Sequence, residues 1–76
     1  MHFSKDVLGA NIRAERARCD LSQEELAARC GVSVPSIAAY ENGTYVPGVD
    51  KVAAIANVLG VTPNALLGWE GGSSNE

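Results

Sequence analysis

Ser22, Ser33 and Ser36, His2, and the two cysteines Cys19 and Cys30 are the side chains from which a covalent reaction would have to be built. A serine becomes a nucleophile only with a base within hydrogen-bond reach. The single histidine, His2, is far along the chain from each of these serines. Ser22 and Ser33 instead stand just before apolar-periodic stretches, where a hydroxyl accepts the unpaired backbone N–H of a helix start. Cys30 shares a helix face with Leu26, four residues earlier, and reads as a small core residue. One histidine and two cysteines make no ligand set at metal-binding spacing. The expectation is therefore a protein that is not an enzyme and takes no metal and no cofactor. The chemistry left is recognition.

Recognition of nucleic acid rests chiefly on cations facing phosphate. Six Lys and Arg against nine Asp and Glu give a net charge of −3, which argues against strong non-specific binding. The charge is unevenly spread, however. Lys5, Arg13, Arg16, Arg18 and Arg29 lie in the first half, while Glu70 and Glu76 lie at the far end. A locally positive face is compatible with a negative total.

The elements that would position these groups centre on Ser22 to Gly43, SQEELAARCGVSVPSIAAYENG. Ser22 caps a helix, with Glu25 three residues on to complete a capping box, and Leu21 and Leu26 are spaced as a hydrophobic staple. Gly31 ends that helix, since only glycine takes a left-handed cap without penalty. Ser33 caps the next helix, Pro35 is tolerated in its first turn, and Val32 and Ile37 form a second staple. Two short helices across a tight, glycine-containing turn make a helix-turn-helix.

This stretch resembles the helix-turn-helix of the Cro/phage-repressor (XRE) family. The residues that carry the resemblance are Leu21-Ser22-Gln23-Glu24-Glu25-Leu26-Ala27, Gly31-Val32-Ser33, Ser36-Ile37 and Tyr40-Glu41-Asn42-Gly43, continued by Pro47, Leu59-Gly60-Val61 and Leu66-Leu67. It implies an all-α, five-helix, lambda-repressor-like DNA-binding domain that regulates transcription, as a repressor and as a homodimer on a double-stranded operator. Helix 33–41 would enter the major groove. The outward residues there are Ser33, Val34, Pro35, Ser36, Ala38 and Ala39. Gln23 would meet a phosphate, Arg13 and Arg29 would lie near the strands, and Asn42, Thr44 and Tyr45 would make a second set of backbone contacts. Arg16 continues the apolar face of Leu8 and Ile12, so it needs a partner. The resemblance implies that this is Glu41.

The sequence departs from the family pattern where bases are read. Val34, Pro35, Ala38 and Ala39 have no side-chain donor or acceptor. Val34, Pro35 and Ala39 can touch thymine methyls, so readout is expected to lean on apolar contact and DNA shape. The same apolar patch supports an alternative, a protein-interaction module such as an antitoxin or regulator subunit.

The remaining chain is simple. Residues 1–5 read as an arm and Asp6 to about Arg18 as the first helix. Val49, Val52, Ile55, Ala56 and Leu59 give a fourth helix one apolar stripe. Thr62 caps a short fifth helix with Pro63 at its first position. Residues 6–68 form the domain and 69–76 a flexible tail, with Leu67 and Trp69 as candidates for a two-fold contact and Trp69 folding back to cover the core as the alternative. The expected core is Leu8, Ile12, Leu21, Leu26, Cys30, Val32, Ile37, Tyr40, Val52, Ile55, Leu59, Val61 and Leu66. No apolar run is long enough for a membrane span and the start lacks an apolar leader, so a cytoplasmic location is expected.

Overall fold

The computed structural model describes residues 3–69 of the 76. Within them the secondary structure is helical: α1 Lys5–Arg18, α2 Gln23–Cys30, α3 Val34–Asn42, α4 Val49–Leu59 and α5 Pro63–Leu67. The all-α, five-helix expectation holds.

Four of the five helix starts are side-chain caps, and α4 starts at Gly48 without one. The Ser22 hydroxyl accepts the Glu25 backbone N–H at 3.0 Å, and the Glu25 carboxylate accepts the Ser22 backbone N–H at 2.8 Å. Ser33 accepts the Ser36 N–H, and Thr62 accepts the Ala65 N–H. Ser33 is thus the cap of α3, which runs through Asn42 and stops at Gly43. Residues 1–5 do not all form an arm. Ser4 accepts the Val7 N–H and caps α1, which takes in Lys5 and starts one residue before Asp6. Met1, His2 and residues 70–76 lie outside the described residues.

Glu25 makes the α2 start sensitive to pH. Its carboxylate is held below its ordinary range, first by the Ser22 backbone N–H and then by the Ser22 side chain. A depressed carboxylate adds stability above its unfolded pKa, and that stability is lost as pH falls through the folded value. We expect Glu25→Gln to lower the melting temperature at about pH 7. The gap from wild type should narrow as pH falls below the ordinary glutamate range of about 4.3 and through the lower folded value. Parallel melting curves across that range check it.

The turn after α2 depends on its glycine. Gly31 sits at φ 71°, ψ 31°, with its N–H on the carbonyls of Ala27 and Ala28. A Cβ there would meet nothing within 4 Å, so the backbone conformation alone demands glycine. This left-handed residue separates the axes of α2 and α3.

Leu8, Ile12, Leu26, Ile37, Ile55, Leu59 and Leu66 are fully buried, so every helix contributes to one core. Ala27 and Ala56 join them, and Val52 is buried beside them. Leu21, Cys30, Val32, Tyr40 and Val61 are half-buried and pack against this cluster rather than inside it. Burial pushes the Cys30 thiol up, in keeping with a packing role. Val49 departs furthest from expectation, at 87% exposed. It lies on the angular stripe of α4 but at the first position of the helix, beyond the partners that cover Val52 and Ile55.

Helix ends are tied to distant elements. Asn11 of α1 donates to the Leu66 carbonyl at 2.8 Å, and Arg18 donates to the Leu59 carbonyl at 2.9 Å. Both satisfy carbonyls at helix C-termini that lack an intrahelical donor. Trp69, which the sequence placed in the tail, is half-buried and donates its backbone N–H to the Asn64 carbonyl.

Candidate nucleic-acid interface

The helix that would read bases is anchored on one side. α3 buries Ile37 and Glu41, and leaves Pro35 and Asn42 exposed, with Ala38 and Ala39 half-buried. Pro35, Ala39 and Asn42 are spaced i, i+4, i+7 and share a face. That face is open, and α3 does not continue straight from α2.

Val34 does not belong wholly to it. It is half-buried against the core, because the first turn of α3 leans on the same cluster as Val32. Ser33 and Ser36 place their hydroxyl oxygens 2.8 Å apart, and Ser33 also accepts the Ser36 N–H. Much of their hydrogen-bonding capacity is therefore spent locally. Between Ser33 and Asn42 the outward apolar surface is the Pro35 ring and the methyls of Ala38 and Ala39.

The polar residues around α3 fall into two groups. Arg29, Asn42, Thr44 and Tyr45 are exposed, Tyr45 at 70%. The backbone N–H groups of Thr44 and Tyr45 both reach the Ala39 carbonyl, which folds the post-helix loop against the end of α3. Arg13 and Gln23 are already engaged. Arg13 Nη1 donates to the Glu41 backbone carbonyl at 3.3 Å, and Gln23 Nε2 donates to Glu41 Oε1 at 3.1 Å.

Behind this surface lies the charge that organises it. Arg16 Nε donates to Glu41 Oε2 at 2.6 Å and Arg16 Nη2 donates to Oε1 at 3.1 Å, a bidentate pair. The Glu41 side chain is 3% exposed and that of Arg16 18%. Arg16 Nη1 also holds the Leu21 carbonyl at 2.9 Å, locking the α1–α2 turn. The guanidinium pKa is raised, first by its hydrogen bonding to Glu41, so Arg16 stays charged. No spacing along the chain pointed to the Gln23–Glu41 and Arg13–Glu41 bonds. A polar residue at the first position of α2, opposite a buried carboxylate, is the pattern that would have revealed the former.

A second surface lies away from α3. Phe3, Val46, Pro47, Val49, Val52, Ala53, Pro63, Leu67 and Trp69 line an open groove of about 420 Å³ with no charged side chain in its wall. Phe3, Val46 and Val49 remain largely exposed around it.

A helix-turn-helix family model matches residues 12–66. An uncharacterized HTH-type transcriptional regulator from Methanothermobacter thermautotrophicus is 45% identical over 49 residues, covering 64% of this chain and 71% of the relative. The clp gene regulator ClgR from Corynebacterium glutamicum superposes with a TM-score of 0.82 at 28% identity, over 91% of this chain and 73% of that one. The P22 c2 repressor in complex with a synthetic operator superposes with a TM-score of 0.78 at 28% identity, over 83% of this chain and 96% of that one. This chain belongs to the helix-turn-helix family of the Cro/phage-repressor type. It is a DNA-binding transcriptional regulator.

Proposed function

We propose that the chain is a cytoplasmic repressor that binds a double-stranded DNA operator as a homodimer, without catalysis and without a cofactor. The observation that carries this reading is the open face of α3 at Pro35, Ala39 and Asn42, set off from α2 by the left-handed Gly31. In this reading Ser33, Val34, Pro35, Ser36 and Ala39 meet base edges in the major groove. Arg13, Gln23 and Arg29 meet phosphates on one side, and Asn42, Thr44 and Tyr45 on the other. The P22 c2 likeness supports it, since that protein is similar along most of its length and is bound to an operator.

Specificity on such a face comes from apolar contact. A proline ring and alanine methyls leave the donors and acceptors of A·T and G·C edges alike unpaired, so hydrogen bonding there does not discriminate. The thymine C5-methyl, by contrast, offers apolar surface. Base pairs opposite Pro35 and Ala39 are therefore thymine-bearing.

The exposed apolar wall of the groove at Phe3, Val46 and Val49 supports the dimer. Two copies joined there would cover these residues, and an operator of two half-sites requires recognition helices about 34 Å apart. Selection from a randomised duplex library at about 50 mM salt tests the reading. The expected winners are two-fold-symmetric sites with half-site centres about one turn apart and thymine enriched in each half. Val49→Asp should convert two chains per duplex into one and weaken binding at least about tenfold. No retained duplex with folded protein present counts against the whole reading.

A further inference from the structure

Glu41 stands where the last turn of α3 meets the first turn of α2 and the middle of α1. Its carboxylate receives two bonds from Arg16 and one from Gln23, and its backbone carbonyl receives one from Arg13. An ionised carboxylate has no proton to give, so Gln23 must turn its –NH₂ toward it. One N–H is then taken by Glu41, and the second N–H and the amide oxygen remain. A phosphate oxygen likewise only accepts, so the second N–H is the group that can serve it. Arg16 neutralises the carboxylate, so the charge that holds Gln23 adds no net repulsion toward DNA.

We infer that Glu41 is a positioning residue for the phosphate-facing edge of the domain, orienting Gln23 through its carboxylate. This rests on the DNA-binding reading above. The pinned amide has lost its rotamer freedom on folding, so contact with DNA does not have to remove it. The pair is thus a joint between the core and the interface.

A double-mutant cycle tests it, using the full chain and a fluorescein-labelled duplex of about 20 bp recovered by the selection. Gln23→Ala is measured in the wild-type background and in Arg16→Met/Glu41→Met, which removes the pin while leaving neither charge unpaired. The expected result is a loss of about fivefold in the wild-type background and less than about twofold in the double variant. Equal losses in both backgrounds overturn the proposal.

If circular dichroism shows the double variant unfolded, the Gln23 side-chain amide of the wild-type protein decides. One of its Nε2 protons should exchange slowly with solvent, in the free protein and in the complex, while the other shifts when duplex is added. Two rapidly exchanging protons overturn the proposal. Wild-type protein that binds no duplex at all overturns the underlying DNA reading, a result distinct from equal losses.

Discussion

Gly9→Ala is expected to destabilise the domain by about 3 kcal/mol, although alanine is the better helix former. Gly9 is buried in the middle of α1. A Cβ built there would lie 2.6 Å from the backbone oxygens of both Glu41 and Tyr40. These are main-chain atoms of α3, so no side-chain rotation relieves the clash, and the two helices must separate. On propensity alone Ala is favoured over Gly in a helix by about 1 kcal/mol. The sign of the measured change therefore decides between local preference and close approach. Urea unfolding of both proteins gives the number. The slope with denaturant should stay the same, since the surface exposed on unfolding is unchanged. Separation of α1 from α3 would also stretch the Arg16–Glu41 pair, so DNA binding should fall along with stability.

The second large effect is at the pair itself. Glu41→Ala leaves Arg16 with only the Leu21 carbonyl and partial solvent, and leaves Gln23 without its acceptor. Removing one partner of a buried pair costs about 3–5 kcal/mol because the other charge stays behind. With Arg16 18% exposed, the lower end of that range, about 3 kcal/mol, is expected here. Replacing both partners, as in Arg16→Met/Glu41→Met, should restore stability to within about 1 kcal/mol of wild type. The pair then contributes little net stability but specifies which end of α3 meets which turn of α1. Denaturant unfolding of the three proteins checks this. A double variant as unstable as the single one would contradict it.

Much of the scaffold could be read from local chemistry. The Ser22–Glu25 box, the caps Ser33 and Thr62, and the terminator Gly31 are interactions within three or four residues, so spacing alone places them. The start of α1 was misplaced because its apolar period begins only at Val7 and Leu8. The cap Ser4 therefore stands before an exposed, charged turn rather than before a hydrophobic stripe. Val49 was misassigned because periodicity gives the angle of a residue around a helix, not how far along the axis the neighbours reach.

The interface was less legible, for a different reason. Which side chains surround α3 follows from the family pattern, but their partners depend on distance in space. Gln23 and Glu41 are 18 residues apart in sequence and Arg13 and Glu41 are 28 apart. No periodicity connects them. Gly9 is similar: a glycine inside a helical pattern reads as a weak spot, and only the packing of α1 on α3 shows that the missing side chain is what lets them approach. Val34 shows the opposite limit, since its place at the start of α3 suggested an outward residue while the turn geometry leans it on the core.

The central claim is that the open face of α3 is the surface that meets DNA. Its most direct test is Ala39→Asp, which puts a carboxylate on that face, half-exposed and remote from the Arg16–Glu41 pair in the helix turn. Anisotropy titration against the selected duplex, with circular dichroism to confirm an unchanged fold, is the measurement. The account predicts a loss of at least about a hundredfold, from repulsion of phosphate and an unpaired charge in the groove. Binding within about twofold of wild type would contradict it.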